Sequence, residues 1–293
     1  MVVSERVRAP DPERTVFVNG DFVPESRAQV SVMDRGFLFG DGVYEVTAVI
    51  DGRLVDAVPH LDRLARSLAE VQIACPWSAA ELTAIQREVA RRNGIDEGTI
   101  YLQITRGAAD RGFAFPERSS PTLVVFAQRR QLVGTRSIAE GIAVVTCPDL
   151  RWRRRHVKSV SLLAQVLAKQ HAHAQGAGEA WMTEDGFVTE GSSSTAFIVL
   201  DDGRLVTRSL KSNVLPGITR QTVLRGAERL RLQLEERSFT LEEAKTAQEA
   251  FATGASFLVT PIVSIDGQKV GSGQPGAVAK ELLACYLDLH RAG

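Results

Sequence analysis

Lys158 stands in the segment HVKSVSLLAQVL (156–167), where an extended run hands over to an apolar helical pattern. A lysine drawn partly out of water loses proton affinity from a reference pKa near ~10.4, and a neutral amine attacks a carbonyl to form a Schiff base. Taken alone, the same residue also reads as a surface lysine with its stem laid along apolar side chains. Two clusters of small and hydroxyl residues accompany it, Thr189-Glu190-Gly191-Ser192-Ser193-Ser194-Thr195 and Leu215-Pro216-Gly217-Ile218-Thr219-Arg220. The second opens a helical pattern, where free backbone N–H groups and the helix dipole attract a phosphate; it reads equally as an ordinary helix start with Thr219 as N-cap. In the first, Glu190 precedes residues small enough for backbone to approach a ligand, which is also how a polar hairpin exit looks. A reactive lysine, a buried acid and a dianion cradle together describe a site for pyridoxal 5'-phosphate. There the acid keeps the pyridine nitrogen protonated, and the ring draws electrons from a carbanion formed at a substrate Cα.

Other chemistries fall away. Gly271-Ser272-Gly273-Gln274-Pro275-Gly276 satisfies the GxGxxG expression, but the 17 residues after it are too few for the rest of a dinucleotide fold, so it reads as a loop before a helix. No GxxxxGK[ST] phosphate loop occurs. His171 and His173 are two apart on a helical pattern and cannot face one metal, and Cys75, Cys147 and Cys285 are too scattered for a zinc site or a disulfide framework; no metal is expected. The 293 residues carry 35 basic and 35 acidic side chains, a formal net charge of zero, which makes nucleic acid and anionic membrane poor partners. Of the basic residues 29 are Arg and six are Lys, so few lysines compete with Lys158. Scattered cysteines, an N-terminus without the apolar core of a signal peptide, and no run near the ~20 apolar residues of a membrane span predict a cytoplasmic protein.

Elements must hold these residues in place. Five Asn-Gly or Asp-Gly pairs, at Asn19, Asp51, Asp185, Asp202 and Asp266, lie between short β-branched runs and predict hairpins, since both residues tolerate the positive φ of tight turns. Helical periodicity appears in HLDRLARSLAEVQI, SAAELTAIQREVARRNG, SLLAQVLAKQHAHAQG, TRQTVLRGAERLRL and AVAKELLACYLDLHR, with Gly94 and Gly176 as C-caps. YLQITRG and PTLVVFAQRR add two strands to the first half. A polar stretch near 130–138 predicts a boundary between two α+β domains: residues 1–132, of which 1–14 read as a flexible extension, and residues 133–293, carrying Lys158.

In order along the chain, DRGFLFGDGVYEV (34–46), HLDRL (60–64), YLQITRG (101–107), FPE (115–117), VKSVSLLAQVLAKQ (157–170), TEGSSST (189–195) and LPGITR (215–220) resemble the fold-type IV pyridoxal-phosphate transaminases. GDGVYEV followed by TRGxxxRxxxFPE is most similar to the D-amino acid branch. The resemblance implies a two-domain α+β fold with the cofactor at the domain interface, in a homodimer whose partner contributes to each site. It implies that Lys158 forms the Schiff base and moves a proton at the substrate Cα, that Glu190 meets the pyridine nitrogen, and that Arg63 binds phosphate with Ile218, Thr219 and the Gly254-Ala255 backbone. It sets Tyr44 and Glu45 near the substrate and the lysine, and Leu215 behind the cofactor ring. Arg111 keeps the place of a substrate-carboxylate arginine, whereas Phe113 replaces the branch's histidine and Ser161 an asparagine. An aromatic at 113 cannot donate a hydrogen bond and favours more apolar substrates. The basic run Arg151-Trp152-Arg153-Arg154-Arg155-His156 reads as added carboxylate-binding charge or as a solvated edge strand. The implied activity is ping-pong amino transfer from a D-amino acid such as D-alanine to a 2-oxo acid such as 2-oxoglutarate. Branched-chain L-amino acid transaminase, (R)-amine transaminase and 4-amino-4-deoxychorismate lyase are the alternatives within the fold, and a non-catalytic cofactor-binding regulator the one outside that chemistry.

Overall fold

The computed structural model describes residues 14–291, so the expected N-terminal extension lies, but for Arg14, outside the described residues. The chain forms two units: one runs to residue 131 and regains 157–161, and the other comprises 132–156 and the chain from 162 onward. The first contains β1 (Thr15–Val18), β2 (Asp21–Pro24), α1 (Arg35–Phe39), β3 (Gly42–Ile50), β4 (Arg53–Leu54), α2 (Ala57–Glu70), α3 (Ala79–Arg92), β5 (Gly98–Thr105) and β6 (Thr122–Arg129). The second opens with α4 (Arg136–Glu140), β7 (Ile142–Pro148), α5 (Leu163–Ala174), β8 (Glu179–Glu184), β9 (Phe187–Gly191), β10 (Thr195–Val199) and β11 (Leu205–Thr207). It continues through α6 (Ile218–Arg229), β12 (Leu234–Glu236), α7 (Leu241–Thr246), β13 (Glu249–Gly254), β14 (Leu258–Ile265), β15 (Gln268–Lys269) and α8 (Ala277–Arg291).

Alternation decides the first sheet, whose order is β2-β1-β6-β5-β3-β4. Ile100, Leu102 and Ile104 of β5 share one buried face with Leu123, Val125 and Ala127 of β6. Leu61, Leu64 and Leu68 of α2 and Leu82 and Val89 of α3 cover it, each set spaced to lie on one helical stripe. In the second unit the order is β12-β11-β10-β13-β14-β7-β8-β9, with β15 on β14; β7 runs parallel to both its neighbours. Trp181, Ile198, Phe239 and Ala252 meet in its core, and α5 packs Ala168 and Ala172 against Ala180 and Met182. Both units combine helices with sheet, as the α+β expectation required.

Four of the five Gly pairs make two-residue hairpin turns with both residues at positive φ, as at Asp51 (51°) and Gly52 (70°). The fifth differs: Val199 pairs with Leu205, and the doubled Asp201-Asp202 lengthens the turn to residues 200–204. The five periodic segments form α2, α3, α5, α6 and α8, while α1, α4 and α7, of six residues or fewer, are too short to show a period. Gly271 to Gly276 form the loop between β15 and α8.

Lys158, expected on the second domain, packs with the first unit. β4 pairs with Val49 and Ile50, leaving the N-terminal half of β3 with an uncovered edge. Tyr44 N donates to Lys158 O (3.0 Å), Val160 N to Gly42 O (3.1 Å), and Lys158 N to Ser67 Oγ (3.2 Å). Val157 enters the first unit's core.

Gly107 opens the loop after β5 at φ 93°, and a Cβ there would come within 1.9 Å of Ser120 O. Gly107→Ala is therefore expected to lower the unfolding free energy by more than about 1 kcal/mol in a urea titration, and an unchanged midpoint would contradict this packing.

Candidate active site

Alternation sends Tyr44 and Glu45 to opposite faces of β3. The Tyr44 ring lies 4.3 Å from Lys158 Nζ and stacks on Tyr101 (5.5 Å), which stacks in turn on Phe126 (4.8 Å). The half-buried amine thus rests on an aromatic face whose quadrupole attracts it, with no carboxylate paired to it among the described residues.

On the other face the Glu45 carboxylate, 1% exposed, accepts from Arg63 Nε (2.8 Å) and Nη2 (2.7 Å) and from His60 Nδ1 (2.7 Å). His60 and Arg63 are three apart in α2 and so share a helix face. Burial alone would raise the Glu45 carboxyl, but the Arg63 guanidinium and the His60 hydrogen bond outweigh it and hold its pKa at about 2. Desolvation pushes His60 below its ordinary value against the pull of Glu45. The imidazole is therefore neutral at pH 7, with its hydrogen on Nδ1 facing the carboxylate.

The loop after β5 carries Arg111 and Phe113, both exposed. The Arg111 guanidinium lies 5.5 Å from the Phe39 ring and 5.8 Å from that of Phe113, and has no carboxylate partner among the described residues. Ser161 Oγ donates to Gly40 O at 3.3 Å.

In the second unit Glu190, at 4% exposure, sits in β9 with Arg151 Nη1 bonded to its Oε1 and Leu215 N donating to it at 3.3 Å. Leu215 thus reaches the acid through its backbone. Arg151 is itself held by Asp149, through Nε (2.9 Å) and Nη2 (2.6 Å), and Thr189 Oγ1 donates to the same acid (2.7 Å). Arg155 pairs with Glu184 at 2.9 Å. The basic run is therefore neither a solvated edge nor free charge at these two positions, because acids of the second unit claim Arg151 and Arg155. Burial lifts the Glu190 carboxyl above its ordinary range, although Arg151 opposes the rise. An acid in that state gains from a further cation placed against it, which is what a protonated ring nitrogen is.

The start of α6 differs from the expected cap. Gly217 is the N-cap, without a side-chain hydrogen bond, and Ile218 and Thr219 occupy the first turn. A Cβ on Gly217 would lie 2.7 Å from Thr195 Oγ1, so only glycine lets the helix start come this close to β10. Thr195 pairs across the sheet with Thr253, whose Oγ1 is buried without a hydrogen-bond partner just before Gly254 and Ala255. An orphaned donor beside an uncapped helix start suits a phosphate. Within the second unit, these donors suit a phosphate and the acid of Glu190 a protonated ring nitrogen, two of the groups that pyridoxal phosphate presents.

Sequence reading singled out neither His60, Asp149 nor Thr253. Asp149-Leu150-Arg151 gives a weak hint of a local ion pair, but Arg151 meets Glu190 across 39 residues, a contact no local spacing announces.

Comparison with known proteins gives the family to which the chain belongs. A family model described as amino-transferase class IV matches residues 42–265. The D-alanine aminotransferase of Staphylococcus haemolyticus is 38% identical over 268 residues, which cover 91% of this chain and 94% of that protein. The branched-chain amino acid aminotransferase of Escherichia coli superposes with a TM-score of 0.89 at 26% identity, over 95% of each chain. A T.th. branched-chain amino acid aminotransferase solved with pyridoxamine 5'-phosphate gives 0.87 at 28%, over 94% of this chain and 93% of its own.

The Glu45 cluster has a pH signature. A carboxyl at about 2 in the fold and 4.5 when free contributes about 3 kcal/mol, fully present above pH 4.5 and lost as the pH falls towards 2. Urea unfolding of the parent protein and Glu45→Gln should accordingly differ most at pH 6, with the gap narrowing by pH 3.5; a pH-independent gap would be at odds with the ion pair.

Proposed function

Because the chain belongs to the class IV aminotransferases, which use pyridoxal phosphate, we propose that it moves the amino group of D-amino acids, D-alanine first, to 2-oxo acids such as 2-oxoglutarate. The observation that carries the substrate assignment is Arg111: an exposed guanidinium without a carboxylate partner among the described residues, beside two aromatic rings, in a chain 38% identical to a D-alanine aminotransferase.

When bound, pyridoxal phosphate supplies a carbonyl for the amino group and a ring that accepts the electron pair released at Cα. Lys158 Nζ would hold the cofactor through its aldehyde and, as a free amine, would take the proton from the substrate Cα. Glu190, oriented by Arg151, would hold the proton on the ring nitrogen. Arg63 and the amides of Ile218, Thr219 and Ala255 hold the phosphate, and Glu45 and His60 fix the Arg63 fork. Leu215, whose N donates to Glu190, would back the ring. Arg111 grips the substrate carboxylate as a bidentate fork, with Tyr44 beside the reacting centre. Phe113 offers surface without a hydrogen bond, which widens acceptance towards apolar side chains. That same residue, with the branched-chain enzymes among the structural relatives, supports L-leucine as the second substrate to try.

Leu163, Val166 and Leu167 of α5 stand 71%, 57% and 59% exposed on one helical stripe, which supports a homodimer. Three free cysteines fit a cytoplasmic location.

Turnover of D-alanine with 2-oxoglutarate is expected to exceed that of L-leucine, (R)-phenylethylamine and 4-amino-4-deoxychorismate by at least about tenfold in kcat/KM, and Lys158→Ala to abolish it. Pyruvate release from aminodeoxychorismate without D-alanine activity would sink the assignment.

A further inference from the structure

Resting on the reading of Arg111 as the carboxylate-binding arginine, we propose that Arg35, with Phe39, is a positioning residue that sets where Arg111 stands. Asp41 lies between α1 and β3, and two arginines share its carboxylate. Arg35 donates Nε to Oδ2 (2.8 Å), while Arg106 donates Nε to Oδ2 (2.7 Å) and Nη2 to Oδ1 (3.0 Å). The donors left over on both arginines reach outward. Arg106 bonds Val71 O (2.7 Å) and Gln72 O (2.8 Å), and its guanidinium lies 3.6 Å from the Phe115 ring at the end of the substrate loop. Arg35 Nη1 donates to Gly112 O at 2.6 Å, the carbonyl of the residue that follows Arg111.

The start of α1 grips the same loop through backbone as well. Arg35 N donates to Gly107 O (2.9 Å), and Ala109 N donates to Met33 O (3.2 Å). Beyond Ala109 the Arg35 side chain is, among the described residues, the polar tether that reaches the loop next to Arg111. Phe39 completes the arrangement: its ring takes Arg35 at 4.7 Å, Arg111 at 5.5 Å and the Phe113 ring at 5.6 Å. Two guanidiniums at one ring repel, and the Asp41 carboxylate, shared with Arg106, offsets part of the charge that Arg35, 3% exposed, brings there. Arg111 keeps its charge for an incoming carboxylate. A lysine cannot copy the device, since bridging Asp41 and Gly112 at once needs the planar fork of a guanidinium.

The decisive variant is Arg35→Lys, which keeps the charge and the stem but cannot span both partners. In the holoenzyme, KM for D-alanine and for 2-oxoglutarate should each rise about tenfold while kcat stays within about twofold, with the visible absorption of the bound cofactor unchanged. Arg111→Lys, measured alongside, closes a double-mutant cycle. The combined variant should raise KM no further than Arg111→Lys alone, because both changes act through one guanidinium. Additive effects on KM, or a fall in kcat with KM untouched, would overturn the positioning role of Arg35. An Arg111→Lys variant with wild-type KM would instead overturn the reading of Arg111 and this proposal with it. Phe39→Leu leaves the buried ion pairs intact and should show the same rise in KM at constant kcat. Should Arg35→Lys fail to fold, wild-type KM values in Phe39→Leu would overturn the proposal.

Discussion

The uncovered edge of β3 is the constraint from which the first unit's chemistry follows. Backbone N–H and C=O groups on an edge need partners, and residues 158–160 provide them at Gly42 and Tyr44. That pairing fixes the lysine backbone directly beside the strand whose Tyr44 ring receives its amine. Because side chains alternate along the strand, the next residue, Glu45, faces the core and organises Arg63 and His60 of α2. One strand therefore aims an aromatic face at the lysine and a carboxylate at the arginine, and a register shift of one residue would exchange the two.

The zero net charge takes on a spatial meaning in the same way. Asp41, Glu45 and Asp149 each accept from a guanidinium in a pocket with little water, and each holds an arginine next to a functional position. Burying either partner alone would cost several kcal/mol, so the acids and arginines are coupled choices. The preference for arginine fits these sites. Each acid is met by a fork that satisfies two oxygens or reaches past the acid to a second acceptor, as Arg35 does to Gly112 and Arg151 to Glu190. A chain built from lysines would hold the same charge with fewer directed bonds.

How far the sequence was legible depends on how local each signal is. Asn-Gly and Asp-Gly turns carry their φ requirement within two residues, and the five long helices announce themselves over several turns. Lys158, Glu190 and Arg111 stood out because motif order along the chain marks them. The return of 157–161 to the first unit was invisible, since nothing in HVKSV states which strand edge it will pair with. Arg151 stayed open between carboxylate-binding charge and a solvated edge because its partner Glu190 is brought to it by the second unit's own chain path. Asp202 and Thr219 show a subtler limit: the right residue types were present, but one extra Asp lengthened the hairpin, and Gly217 took the cap one residue before Ile218.

The discontinuity of the first unit has a consequence for the order of events during synthesis. When residue 131 has left the ribosome, β1 to β6 and their covering helices are all present, yet the first half of β3 still presents bare hydrogen-bonding groups. An open strand edge of this kind is a template for pairing with another chain. It stays open while α4 and β7 are made, until Val157 to Ser161 arrive. The segment that delivers the lysine is thus also the one that closes the open edge, through a single bridge between Val43 and Ser159 and the bonds beside it.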